Sequence, residues 1–189
     1  MHQLVKLLSR GSAVLGGVVL LILIVLSALS IAGRELSKLG HRLVDGDWLA
    51  GLGSALVASG VDEINGTYEL TEAGVAFAIF AFLPVCQFYS AHATVDVFTS
   101  RLPGSLLGWL RAFWEVILSA VIIFITLRLY DGMQRYLGNG ETTLFLQFPV
   151  WWSYAACVAA AIVACITAIY CAYARLAEAV KGRAILPEG

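Results

Sequence analysis

Three long stretches without a charged residue dominate the pattern of hydrophobic and polar positions along this chain. They cover residues 11–33, 73–93 and 142–174. A helix needs about 20 apolar residues to cross the roughly 30 Å hydrocarbon core of a bilayer, so the first two stretches each predict one span. The third exceeds one crossing. Because Pro149 suits the first position of a helix, it predicts a span over 149–174.

A fourth span is predicted over 109–130, where charged residues interrupt the apolar run. Aromatic residues lie at both ends, Trp109 and Tyr130, as is typical of membrane interfaces. Arg111 lies near one end, where its long side chain can reach the headgroups, and we expect it to pair with Glu115 four positions later. The pattern therefore predicts an all-α membrane protein whose four transmembrane helices form a single domain of 189 residues.

The segments between the spans indicate interfacial structure. Residues 34–72 are predicted to form an extended polar loop with more acidic than basic side chains, and within it the stretch 48–61 is apolar and rich in glycine. This stretch is too short for a span and predicts an interfacial or re-entrant hairpin. Residues 96–108 mix apolar and polar positions, which favours an amphipathic segment along the membrane surface.

The first span raises one alternative, a cleaved signal peptide. Lys6 and Arg10 precede it, and Ser30, Ile31 and Ala32 resemble a cleavage site. The apolar run of a signal peptide usually has about 7 to 15 residues, and the run here is longer. We therefore expect this segment to be retained as a transmembrane helix.

The basic residues predict the orientation, because four spans place both termini on one side and cytoplasmic segments carry an excess of Lys and Arg. Cytoplasmic termini would place one set of basic residues inside: Lys6, Arg10, Arg101, Arg111, Arg175, Lys181 and Arg183. The other side would carry a smaller set: Arg34, Lys38, Arg42, Arg128 and Arg135. We therefore expect cytoplasmic termini.

The composition agrees with a membrane protein and excludes other classes. Hydrophobic residues make up 60% of the chain and charged residues 13%, against roughly 25% charged residues in soluble domains. The formal net charge of −1 gives no basis for binding nucleic acid through its phosphates. The sequence has no nucleotide-phosphate loop, zinc-protease motif or serine-hydrolase elbow, so we expect no enzymatic activity.

No cofactor is expected from the residues that commonly bind one. Cys86, Cys157, Cys165 and Cys171 all lie in predicted spans, at spacings that suit neither zinc nor a redox pair. We interpret them as buried small apolar residues. Haem held between helices would need two inward histidines, and only His92 lies close to a span.

The sequence does not favour transport by this chain alone. Secondary transporters usually show internal repeats and helices broken at matching positions, and neither is visible here. Glu115 is the only charge deep in a predicted span, and an ion pair with Arg111 would account for it. Small residues such as Ala81 and Ala164 favour close helix packing, both within the chain and against another membrane protein.

Several short motifs occur in the order and spacing of a known family. They are Gly33-Arg34, Ile64-Asn65-Gly66-Thr67-Tyr68-Glu69-Leu70, Pro84, His92-Ala93-Thr94-Val95-Asp96, Arg101-Leu102-Pro103, Gly140-Glu141-Thr142-Thr143 and Phe148-Pro149-Val150-Trp151-Trp152. Over 64–171 the chain resembles the small membrane subunit, DctQ type, of tripartite ATP-independent periplasmic (TRAP) transporters. The segment between Arg34 and Ile64 is longer than is common in that family.

The resemblance implies a bacterial inner-membrane protein with cytoplasmic termini. Such a subunit pairs with a large TRAP membrane subunit that carries the sodium and substrate sites, while a periplasmic substrate-binding protein delivers a small organic acid. It would be a scaffold surrounded by membrane lipids in a secondary transporter. The alternative from another class is a membrane anchor for a redox or lipid-linked enzyme complex.

Eight residues are candidates for partner contacts or structural motifs: Tyr68, Glu69, Glu72, His92, Asp96, Arg101, Trp151 and Trp152. Glu69 and Glu72 begin the second span, where the helix dipole favours carboxylates. Trp151 and Trp152 are predicted to anchor the last span among the headgroups.

Asp96 is the candidate that most needs a partner. It shares a helix face with His92 at the end of the second span, where the dipole disfavours an acidic group. Arg101, a capping role for the next segment and a basic residue of the large subunit are the alternatives. Glu178, by contrast, is placed in an exposed tail.

Overall fold

The computed structural model of the chain describes residues 2–45, 50–60, 62–91 and 104–181. Its helices are, in chain order, α1 (His2–Asp45), α2 (Ala50–Ala58), α3 (Thr67–Phe88), α4 (Gly104–Asn139) and α5 (Val150–Lys181). All except α2 are long and apolar enough to cross a membrane. The prediction of an all-α membrane protein with four transmembrane helices is therefore confirmed.

The first helix is much longer than the predicted span over 11–33. α1 continues to Asp45 and α3 begins at Thr67, so the extended polar loop predicted over 34–72 is wrong at both ends. In the added part of α1, Lys38 Nζ donates to Glu35 Oε1 at 2.8 Å. Opposite charges three or four positions apart stabilise an exposed helix, which allows α1 to extend beyond its apolar segment.

A helix replaces the hairpin that was predicted over 48–61. α2 doubles back along the end of α1, where the two backbones meet at a pair of glycines. A Cβ atom on Gly53 would lie 2.7 Å from the carbonyl oxygen of Gly40, so a larger residue would push the helices apart. The apolar, glycine-rich composition thus serves helix packing against α1.

The remaining helices keep the predicted spans but change their limits. α3 ends at Phe88 rather than at residue 93, and it continues through the buried Pro84. α4 exceeds the predicted span on both sides and begins at Gly104, within the predicted surface segment. Residues 96–103 of that segment lie outside the described part of the chain. α5 begins at Val150, directly after the predicted Pro149.

The spanning helices pack in the order α1, α3, α5 and α4, with a further contact between α1 and α5. Small side chains form the contacts at which helices approach most closely. Ala81 of α3 and Ala161 and Ala168 of α5 have no exposed surface. This confirms that small residues pack the helices within the chain. Of the four cysteines predicted to be buried, Cys157 and Cys171 are buried, whereas Cys86 and Cys165 are only partly buried.

Candidate functional site

Polar contacts between helices concentrate at the two ends of the molecule. We call the end that holds the start of α1, the end of α3 and the end of α5 the termini end. The opposite end, where α3 and α5 begin and α4 ends, is the loop end. Each end has its own network of hydrogen bonds, and the predicted site residues belong mainly to the loop end.

At the loop end, Glu69 binds the loop that joins α4 to α5. Its Oε1 accepts a hydrogen bond from the backbone N–H of Phe145 at 2.8 Å, and its Oε2 accepts one from the N–H of Leu146 at 3.0 Å. Hydrogen bonds to a carboxylate are stronger than those between neutral groups. Glu69 lies in the first turn of α3 as predicted, and its contact with a loop distant in sequence is an additional role.

Backbone hydrogen bonds close the loop, and the loop packs against a glycine that directly precedes α3. The N–H of Thr143 donates to the carbonyl of Phe148, and that of Val150 donates to the carbonyl of Glu141, both at 3.0 Å. Gly66 precedes α3 with a φ of 83°, and a Cβ atom there would collide with the side chain of Leu146. Glycine is therefore required both for the backbone angle and for the contact.

The other loop-end candidates face outward. Tyr68 is 78% exposed and Trp152 is 56% exposed, while Trp151 is partly buried and packs edge-on against Trp152, with 6.2 Å between ring centroids. Glu72 is exposed one turn beyond Glu69. These positions leave three of the side chains accessible to lipid or a partner protein, whereas Trp151 is only partly accessible.

Three candidates lie outside the described residues. His92, Asp96 and Arg101 belong to the segment 92–103. Their predicted roles, including a partner for Asp96, stay predictions.

At the termini end, a buried polar cluster links α3, α4 and α5. Gln87 Nε2 donates to Glu115 Oε1 at 2.6 Å, and the two residues are only 1% and 9% exposed. Arg175, also 9% exposed, donates to Ser90 Oγ and to Glu178 Oε2, the latter at 2.7 Å. The described ion pair of Arg175 is with Glu178, and its charge acts on Glu115 only at longer range. We call these five residues the buried polar cluster.

The cluster corrects two predictions. Arg111 is exposed, and among the described ion pairs Glu115 has none with it; Gln87 takes its place. The reason is that Arg111 can reach water or headgroups, whereas Glu115 faces α3.

Glu178 was placed in an exposed tail, yet its side chain is 13% exposed and paired with Arg175, because α5 remains packed against α3 at this depth.

Two further contacts attach the start of α1 to the termini end. Arg10 Nε donates to the hydroxyl of Tyr89 at 3.0 Å. His2 Nδ1 lies 2.9 Å from the hydroxyl of Tyr170. The sequence did not predict these partners or Gln87, although an amide within a charge-free apolar stretch is itself a signal for a buried polar contact.

The family model described as "Tripartite ATP-independent periplasmic transporters, DctQ component" matches residues 60–179. This range includes α3, α4, nearly all of α5 and the residues of both polar networks, apart from those of α1. No curated protein and no solved structure matches the chain.

Proposed function

Because the chain belongs to the DctQ component of the tripartite ATP-independent periplasmic transporters, we propose that it is a scaffold for the large transport subunit. Members of this family are small membrane subunits that work with a large membrane subunit and a binding protein. The family is a transporter component and not an enzyme family, which gives the alternative of an enzyme anchor no support.

The continuity of the spanning helices carries this proposal. Within the described residues, α1, α3, α4 and α5 each cross as one uninterrupted helix, including α3 at Pro84. Secondary transporters typically bind their ions and substrates where membrane helices are broken, because the unwound backbone supplies the ligands. Continuous spans favour a structural role, with sodium and a small organic acid bound by the large subunit.

The arrangement of the helices supports a wide contact surface. Contacts run from α1 through α3 and α5 to α4, so the helices leave extensive apolar faces uncovered within the chain. We propose that one such face meets the large subunit in the bacterial inner membrane, with both termini in the cytoplasm. Asp96 would face a basic residue of that subunit, with Arg101 as the alternative partner within the chain, and the exposed Tyr68 and Glu72 would adjoin the periplasmic binding protein.

Reconstitution tests the scaffold function. In liposomes with an inward sodium gradient, the chain alone should take up none of the organic acid that the complete transporter moves. The large subunit and binding protein, added together with this chain, should give uptake, and omission of the chain should reduce it. Uptake by the chain alone would contradict the proposal, as would full activity of the large subunit without it.

A further inference from the structure

The tip of the loop between α4 and α5 exposes three consecutive large apolar side chains. Leu144 is 83% exposed, Phe145 is 65% exposed and Leu146 is 41% exposed. We call these three residues the loop tip. A contiguous apolar surface of this kind is unfavourable in water and marks a contact with another phase or molecule.

The loop tip is held in a defined position. Both oxygens of Glu69 accept hydrogen bonds from the backbone of Phe145 and Leu146, and Leu146 lies against Gly66. The bonds that close the loop use further backbone groups at Thr143 and Val150. A loop can enter a medium with little water only when its backbone polar groups are satisfied within the protein. These contacts satisfy two backbone N–H groups of the tip and two more at the base of the loop.

The surroundings of the loop tip are those of a membrane–water boundary. The tip lies directly before α5, and residues 142–174 contain no charged side chain. Trp152 in the first turn of α5 and Tyr68 in the first turn of α3 are both exposed. Exposed tryptophan and tyrosine at the ends of transmembrane helices are typical of the headgroup region. The tip thus lies at the start of a charge-free segment and at the same end of the molecule as aromatic side chains that are typical of the headgroup region.

We propose that the loop tip inserts into the boundary between headgroups and acyl chains of the leaflet at the loop end, and that Glu69 is its positioning residue. The partner is the lipid surface itself. The carboxylate of Glu69 remains on the protein side of the loop, bound to the backbone N–H groups. Leu144 and Phe145 provide most of the exposed apolar surface, whereas Leu146 also packs against Gly66. The loop would thereby fix the depth of α3 and α5 in the bilayer.

Spin labelling of the full chain tests the insertion. The label is attached to Phe145→Cys, or to Leu144→Cys as a second site, after the four native cysteines are replaced by alanine. The protein is placed in nanodiscs of phosphatidylethanolamine and phosphatidylglycerol. Collisions of the label with oxygen, which concentrates in the bilayer, and with a water-soluble nickel chelate are compared. Asp62→Cys, at an exposed position of the loop end, provides the water-exposed control.

We expect the oxygen-to-nickel collision ratio to be several-fold higher at both tip positions than at position 62. Equal ratios would show that the tip lies in water and would overturn the proposal. Addition of the large subunit should leave the high oxygen access of the tip unchanged. Loss of access to both reagents in that complex would show that protein covers the tip, which would also overturn it.

Substitution of Glu69 tests its positioning role separately. Glu69→Ala removes both acceptors, so the label at position 144 should become more mobile and its collision ratio should fall toward that of position 62. Glu72→Ala removes an exposed carboxylate one turn along the same helix and should change neither quantity. An unchanged spectrum for Glu69→Ala would show that the loop is positioned without this residue.

Discussion

Glu115 shows how one buried carboxylate can connect three helices. It accepts a hydrogen bond from Gln87 of α3 and lies within electrostatic range of Arg175 of α5. A buried polar group is costly unless it is hydrogen-bonded, and here Gln87 supplies the hydrogen bond while Arg175 adds a longer-range attraction. A packing of α3, α4 and α5 that separates these groups would therefore be less stable.

Replacement of Glu115 should destabilise the isolated protein. Glu115→Leu removes the acceptor of the hydrogen bond from Gln87 Nε2, and removing one partner of a buried hydrogen bond costs about 1 to 3 kcal/mol. Glu115→Gln keeps an acceptor for Gln87 and should lose less. The measurement is the free energy of unfolding in detergent. Glu72→Leu, at an exposed position, should change it by less than about 0.5 kcal/mol; equal stability of the two leucine variants would refute the role of Glu115.

At the scale of elements, α5 has two distinct faces. One packs against α3 and α4 through small residues. The other is a continuous exposed stripe along the helix: Trp152, Ala156, Ala159, Ile162, Ile166, Ile169, Tyr173 and Leu176. Near its start, Ala156 and Ala159 are small enough for another transmembrane helix to approach closely. On the proposed function, this stripe is suited to contact the large subunit.

Bulky residues on this stripe should weaken assembly without unfolding the chain. The double variant Ala156→Trp and Ala159→Trp would hold a partner helix away, so less large subunit should co-purify in mild detergent. Ala120→Trp, at an exposed position on α4, is the matched control and should co-purify like the unmodified chain. Normal recovery with the double variant would assign the contact to a different face.

At the scale of the whole molecule, charge is distributed unevenly between the two ends. Lys6, Arg10, Arg111 and Arg175 lie toward the termini end, together with the acidic Glu115 and Glu178. The loop end carries the basic side chains Arg34, Lys38, Arg42, Arg128 and Arg135 and acidic ones such as Glu35 and Glu63. Basic segments tend to remain in the cytoplasm. Only when Arg101, Lys181 and Arg183 of the sequence are added do the basic residues of the termini end outnumber those of the loop end, and cytoplasmic termini remain a prediction from the sequence.

Thiol labelling tests this orientation in intact cells. A reagent that cannot cross membranes, in a variant without native cysteines, should label Asp62→Cys from the periplasm. It should label Lys181→Cys only after the membrane is opened, because that position follows the last span. Labelling of position 181 in intact cells would reverse the topology.

The sequence alone determined the helical spans and the family. Each charge-free run, such as 11–33, predicts its own span, because the transfer of a helix into lipid depends on the side chains of that helix. The family is recognised from motifs such as the residues around Tyr68 and Trp151. Their order along the chain does not depend on how the helices pack. The sequence also contains a signal for the added length of α1, namely oppositely charged residues at helical spacing such as Glu35 and Lys38. The pattern of apolar runs does not include such residues.

Only the tertiary structure decided which polar groups meet. Glu115 has Arg111 four positions before it, yet its partner is Gln87, 28 positions away. Glu69 likewise binds the backbone of Phe145, 76 positions away. Hydropathy is a local property of a segment, whereas a hydrogen bond requires two groups at a defined distance and angle. That geometry exists only after α3, α4 and α5 have packed together.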